Sequence, residues 1–158
     1  MTDQNTPKAP ISVVLFQPDI PGNTGTILRL AACFDLTVHV IGPAGFRLDD
    51  ASLQRAGMDY LERASLVQHV DWVAFQAWHR QAGGRVVVFS TFAEDSYTEF
   101  QYEVGDLLMF GRESTGLPDL VHEAADHRVL IRMAASGRSL NLAVSVAMGV
   151  GEALRQLG

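Results

Sequence analysis

Apolar positions along this 158-residue chain fall into two patterns. Short stretches at 11–16, 37–41, 86–89 and 106–110 are rich in Val, Ile, Leu and Phe, several of them without polar-apolar alternation, and are bounded by Gly, Pro or Asp. Runs of that length and texture read as strands buried on both faces. A briefer strand is expected at 64–68 and a last one at 128–131. Between them the apolar residues recur at helical spacing. The pattern predicts helices over 24–34 with Asn23 as N-cap, 50–57 with Asp49 or Asp50 capping, 72–80 with Trp72, Phe75, Trp78 and His79 near one face, 119–124, and 139–157 capped by Ser139. Strands that alternate with helices imply an α/β fold, a parallel sheet with helices on both faces. Residues 1–10 are polar with two prolines and read as a disordered leader; 11–158 read as a single domain.

The last helix differs from the others. Ala143, Ala147 and Gly151 fall at i, i+4 and i+8, and Ser145 and Gly149 add small residues to a segment that is apolar nearly all round. Each glycine costs up to about 1 kcal/mol relative to Ala in a helix. A helix so built has a neighbour on more than one side, and a homodimer interface is the expected second neighbour.

Composition narrows the chemistry. The net charge of −6 argues against non-specific nucleic-acid binding but leaves room for a local basic site, and eleven of the twelve cations are Arg. The single Cys33 excludes an internal disulfide and suits a reducing, cytoplasmic setting. No apolar run reaches membrane-spanning length. The five histidines show no metal-ligand spacing, so no metal is expected.

Three segments carry the candidate chemistry. The first, Pro18-Asp19-Ile20-Pro21-Gly22-Asn23-Thr24-Gly25, leads into a helix holding Arg29; its helix-start amides could hold an anion such as phosphate. Arg29 either reaches back to that anion or is a surface arginine. The second is Gly111-Arg112-Glu113-Ser114-Thr115-Gly116-Leu117-Pro118, which follows a strand. Open α/β sheets bind ligands at such strand ends. It has P-loop glycine spacing, yet Leu117 and Pro118 stand where a P-loop needs Lys and Ser or Thr. Glu113 is placed to fix Arg112, Arg29 or Arg138, or is an exposed loop charge. The third runs from Ile131 to Asn141. Ser136, Gly137 and Ser139 offer amides and hydroxyls without bulk, and Asn141 can make polar contacts across the site.

Taken in order, Pro21-Gly22-Asn23-Thr24-Gly25 with Arg29, the loop from Phe110 to Pro118, and Arg138-Ser139-Leu140-Asn141-Leu142 resemble the SPOUT class of RNA methyltransferases. The likeness is greatest to the TrmL/YibK group, which methylates the ribose 2′-hydroxyl of the tRNA wobble nucleotide. Gly45-Phe46, Asp49-Asp50 and Gly57-Met58-Asp59-Tyr60 also resemble that group. The resemblance implies a SPOUT-type fold with a C-terminal deep trefoil knot, and a homodimer with its active site at the interface. It implies S-adenosyl-L-methionine as cofactor, held by Phe89, Ser90, Gly111, Ile131, Met133 and Ser139. It implies Arg29 as the catalytic arginine, with Glu113, Ser139 and Asn141 supporting it. Asn23, Arg29, Arg112 and Arg138 would meet the tRNA anticodon region. Arg112 and Arg132 replace prolines usual in that group, and Gly137 replaces a serine. The rival readings are a related enzyme with another RNA target and a binding module without catalysis.

Overall fold

In the computed structural model, which describes residues 9–48, 65–135 and 139–158, six parallel strands form one sheet in the order β3-β2-β1-β5-β4-β6. The elements are β1 (Ser12–Phe16), α1 (Pro21–Phe34), β2 (Thr37–Ile41), β3 (Ser65–His69), α2 (Trp72–Ala82), β4 (Val86–Phe89), β5 (Leu107–Phe110), α3 (Asp119–Ala124), β6 (His127–Val129) and α4 (Leu142–Leu157). The helix expected over 50–57 lies outside the described residues.

The apolar strand runs hide a period of two that the sheet separates. Val13 and Leu15 of β1, Val87 of β4, and Leu108 and Phe110 of β5 face one core, together with Ile27, Leu28 and Ala31 of α1 and Val146, Val150 and Ala153 of α4. Val14, Phe16, Val86, Val88, Leu107 and Met109 point the other way, onto Phe75 of α2 and Val121 of α3. Alternate side chains of a strand must leave opposite faces, so a strand that feeds two cores needs apolar residues at every position.

Two capping assignments differ from the sequence reading. The first helix begins at Pro21, with Ile20 as its cap, so Asn23 lies inside the first turn. Proline suits that first position because its missing N–H would have no helical partner. The last helix begins at Leu142, and Asn141, not Ser139, caps it by accepting from Val144 N at 3.2 Å. Gly149 has a neighbour within its own chain. A Cβ there would lie 2.7 Å from Phe89 Cζ and 3.2 Å from Phe110 Cζ, so this glycine makes room for two rings of its own chain. At Gly151 a Cβ would meet nothing within 4 Å.

The sheet reverses direction of growth between β1 and β5. From β1 the chain builds outward through β2 and β3; β5, β4 and β6 lie on the other side. Residues beyond β6 are held from two sides by the connection between β4 and β5. Ser90 N donates to Val129 O at 2.9 Å, while Leu130 N donates to Asp95 O at 2.8 Å and Tyr97 N to Leu130 O at 2.9 Å. The polar stretch at 94–103 therefore wraps the end of β6.

Under α2 lies a buried histidine pair. His39 Nδ1 and His69 Nε2, from neighbouring strands, share a 3.0 Å hydrogen bond, and Phe75 and Trp78 pack against both rings. Burial, with His69 beside it, depresses His39 from 6.5 to about 4; burial depresses His69 too. The unfolded chain thus takes up protons near pH 6.5 that folded His39 refuses until about pH 4, and the lowered His69 adds in the same direction. Stability must fall as pH drops through that window. The His39 shift corresponds to about 3 kcal/mol. Urea midpoints measured from pH 7 to pH 4.5 are expected to show this slope, and His39→Phe to flatten it.

Candidate active site

The carboxyl ends of β1, β4, β5 and β6 open onto a cavity of about 550 Å³ beside the point where the sheet reverses. Phe89, Ser90, Gly111, Ile131, Met133 and Ser139, drawn from three separate segments, all line it. Its floor includes the stacked rings of Phe89 and Phe110, 4.5 Å apart at 23°, above Gly149. The Gly111 wall is bare backbone. The loop closes on itself, with Arg112 N donating to Gly116 O at 3.1 Å and Gly116 N to Arg112 O at 2.7 Å. Gly116 sits at φ 71°, a region that favours glycine.

One hydrogen-bond relay ties the three sequence segments together. Glu113 Oε1 accepts from Asp19 N at 3.0 Å, and Oε2 accepts from Ile20 N at 2.9 Å and Asn23 Nδ2 at 3.3 Å. Asn141 Nδ2 donates to Asn23 Oδ1 at 3.1 Å while Asn141 Oδ1 caps α4. Glu113 therefore answers the amides at the start of α1, and among the described residues no arginine is paired with it. A carboxylate there meets the positive end of the helix dipole. It also takes the place expected for an external phosphate.

Arg112 pairs elsewhere. Its Nε donates to Asp19 Oδ2 at 3.1 Å, and the Ser114 hydroxyl donates to the same oxygen. The Ser114 hydroxyl, with Arg112 alongside, holds the Asp19 carboxyl below its usual range. Asp19 carried no role in the sequence reading; its only local signal was its place before the helix. His122 was also missed: its Nε2 lies 3.1 Å from Ser90 Oγ, fastening a cavity residue to α3.

Arg29 is exposed on α1 and is not among the described residues that line the cavity. Asn23, Glu113, Ser139 and Asn141 are. Arg138, Asp49, Asp50 and 57–60 lie outside the described residues. Among the described residues, no cluster of His, Cys, Asp or Glu could hold a metal, and no helix is long and apolar enough to cross a membrane.

A family model described as the SpoU rRNA Methylase family matches residues 10–150. The chain belongs to the SpoU methylase family. Within that family, a tRNA (cytidine(34)-2′-O)-methyltransferase from Beijerinckia indica is 50% identical, over 92% of this chain and 91% of the relative. One of the same description from Escherichia coli K12 is 40% identical, over 94% of each chain. A solved SpoU-type structure, described as giving insights into 2-OH methylation of C/U34 on tRNA, superposes with a TM-score of 0.88. It is 41% identical, with 93% of this chain and 95% of that one covered. An AdoMet-bound rRNA methyltransferase from Sinorhizobium meliloti superposes with a TM-score of 0.87 at 27% identity, covering 96% of this chain and 58% of that one.

Proposed function

We propose that the chain transfers a methyl group from S-adenosyl-L-methionine to the ribose 2′-hydroxyl of the wobble nucleotide, cytidine or uridine 34, of tRNA. The observation that carries this reading is the convergence of Phe89, Ser90, Gly111, Ile131, Met133 and Ser139, the residues expected to hold the cofactor, on one cavity joined to α1 by Glu113, Asn23 and Asn141.

The cavity fits the cofactor chemically. Its aromatic floor suits an adenine ring, its hydroxyls at Ser90, Thr91 and Ser139 suit ribose and amino-acid groups, and the bare backbone at Gly111 lets a ligand edge approach. When bound, the sulfonium supplies an already activated methyl group. The protein must then align a poor oxygen nucleophile and stabilise the charge that grows on it.

Arg29 is suited to that second task, holding a phosphate beside the reacting ribose and steadying the oxygen as it loses its proton. It does not act as the base, because a guanidinium keeps its protons. Glu113 is a fastener, since both its oxygens already accept N–H bonds. Asn141 does the same for α4, and Ser139 lines the cofactor wall. Asn23, Arg112 and Arg138 remain our candidates for tRNA contact; Asp19 answers part of the charge on Arg112. Such contacts position RNA without reading its sequence.

The active unit in this reading is a homodimer. α4 exposes Val144, Ala147 and Met148 on one stripe with Gly151, whose surroundings are open in the single chain. In this reading that stripe packs on a second copy, and Arg29 of one protomer serves the cavity of its partner. The C-terminal trefoil knot belongs to the same reading; its support is the double grip on residues 129–130. We place the enzyme in the cytoplasm with its tRNA substrate.

The test is transfer of labelled methyl to tRNA from a strain lacking this activity. Label is expected on the ribose of nucleotide 34. Label at another site keeps the chemistry and moves the target; no label and no cofactor binding would end the assignment.

A further inference from the structure

We propose that Phe92 is the platform on which the base of the methylated nucleotide stacks, an inference that rests on the function proposed above. Among the described residues Phe92 is the most exposed large apolar side chain, at 86%, and it lines the cavity. A lone exposed apolar residue needs no explanation on a protein surface. This one sits on a built support. Phe92 N donates to Ser90 Oγ at 3.1 Å, and Ala93 N to Ser90 O at 3.3 Å, which makes a tight turn just past β4. Ser90 is itself fastened twice, through its N–H to Val129 O at 2.9 Å and through Oγ to His122 Nε2 at 3.1 Å. The backbone at the root of the ring is pinned on both sides, yet the ring stands in solvent.

The surroundings name the occupant. Ile20, Met133 and Leu140 are also exposed and also line the cavity, so the mouth is apolar around a deeper aromatic floor. A ribose whose 2′-hydroxyl enters this cavity leaves its own base at that mouth. The base of a single-stranded loop nucleotide has two apolar faces, and proteins that read such loops stack them on aromatic rings. Stacking is tolerant of base identity because every base offers a π-face. A ring at this position therefore holds a cytosine or a uracil equally well, whereas hydrogen bonds to the differing edge would choose between them. The chemistry of the mouth thus accounts for one enzyme acting on either pyrimidine.

The experiment compares the full-length wild-type chain with Phe92→Ala, Phe92→Leu and Phe92→Tyr, using tRNA lacking the wobble methyl group. Kinetics of transfer are read against tRNA concentration. S-adenosylmethionine affinity without tRNA is read by calorimetry, and oligomeric state by light scattering. Phe92→Ala is expected to raise KM for tRNA by about 10- to 100-fold, with Phe92→Leu close to it and Phe92→Tyr within about threefold of wild type. Cofactor affinity and oligomeric state stay unchanged in all three. Unaltered tRNA kinetics in Phe92→Ala overturns the proposal, as does rescue by leucine equal to that by tyrosine. A matching loss of cofactor affinity makes Phe92 an adenine seat instead, and a loss of dimer makes it a contact between copies. Failure of the wild-type enzyme to label nucleotide 34 is separate and removes the underlying reading with it.

Discussion

Arg29→Ala is expected to lower methyl transfer by about 100- to 1,000-fold while leaving S-adenosylmethionine affinity unchanged. The split follows from where the residue stands. Arg29 projects from the middle of α1, exposed, and does not line the cavity that would hold the cofactor in its own chain. In the proposed reading, removing it takes away the cation that serves the reacting oxygen and its phosphate, while the residues that line the cavity stay in place. Lysine is a poor replacement, since a point charge lacks the planar fork that grips a phosphate with two hydrogen bonds. The sharper measurement is complementation. Arg29→Ala subunits are mixed with subunits whose cofactor wall is broken. If the arginine serves the partner, mixed dimers regain one competent site, and activity returns to roughly a quarter of wild type, as random pairing in a twofold dimer requires. If activity stays at the level of the parent variants, Arg29 acts within its own chain and the proposed arrangement of the dimer is wrong.

The variant that breaks the wall is Gly111→Ala. A Cβ at this position would lie 2.6 Å from Gly116 C, 2.8 Å from Leu117 N and 2.9 Å from Gly116 Cα. Every one of these atoms is backbone, so no side chain can swing aside. The loop is also closed by the paired hydrogen bonds between Arg112 and Gly116, and it must open to admit the methyl group. Overpacking of this kind costs about 1–3 kcal/mol. Opening also moves Glu113, which holds the start of α1 and Asn23. The expected result is loss of measurable cofactor binding by calorimetry, together with a lower urea midpoint for a chain that still folds. Wild-type cofactor affinity in this variant would remove Gly111 from the cofactor wall.

The elements were legible because each depends on local pattern. Short stretches rich in β-branched and apolar residues gave β1, β2, β4 and β5 to within a residue or so, and the spacing of Trp72, Phe75 and Trp78 gave α2. The gathering of the site residues was legible only through the ordered motifs, since spacing alone left Arg29 and Glu113 as ordinary surface charges. What escaped was pairing across the chain. Glu113, expected either to fix an arginine or to stand as a loop charge, holds the amides of Asp19 and Ile20, more than ninety positions away in sequence. Nothing near Glu113 announces those amides. Ser139 looked like a cap because it precedes an apolar run, but Asn141 reaches the helix amide first. Gly149 looked like its neighbour Gly151, and only the rings of Phe89 and Phe110 tell them apart.

The grip on residues 129–130 ties one wall of the cavity to a distant stretch of the chain. Ser90 on one side and Asp95 and Tyr97 on the other belong to a single earlier connection, so the chain between its arms is held from two sides by one segment. Pairing so far apart in sequence is slow to form. The residues that follow, Ile131 and Met133 and then Ser139 to Leu142, are a wall of the cavity. That wall is therefore only as firm as this long-range pairing, and a change at Ser90, Asp95 or Tyr97 is expected to reach the cavity through residues 129–130.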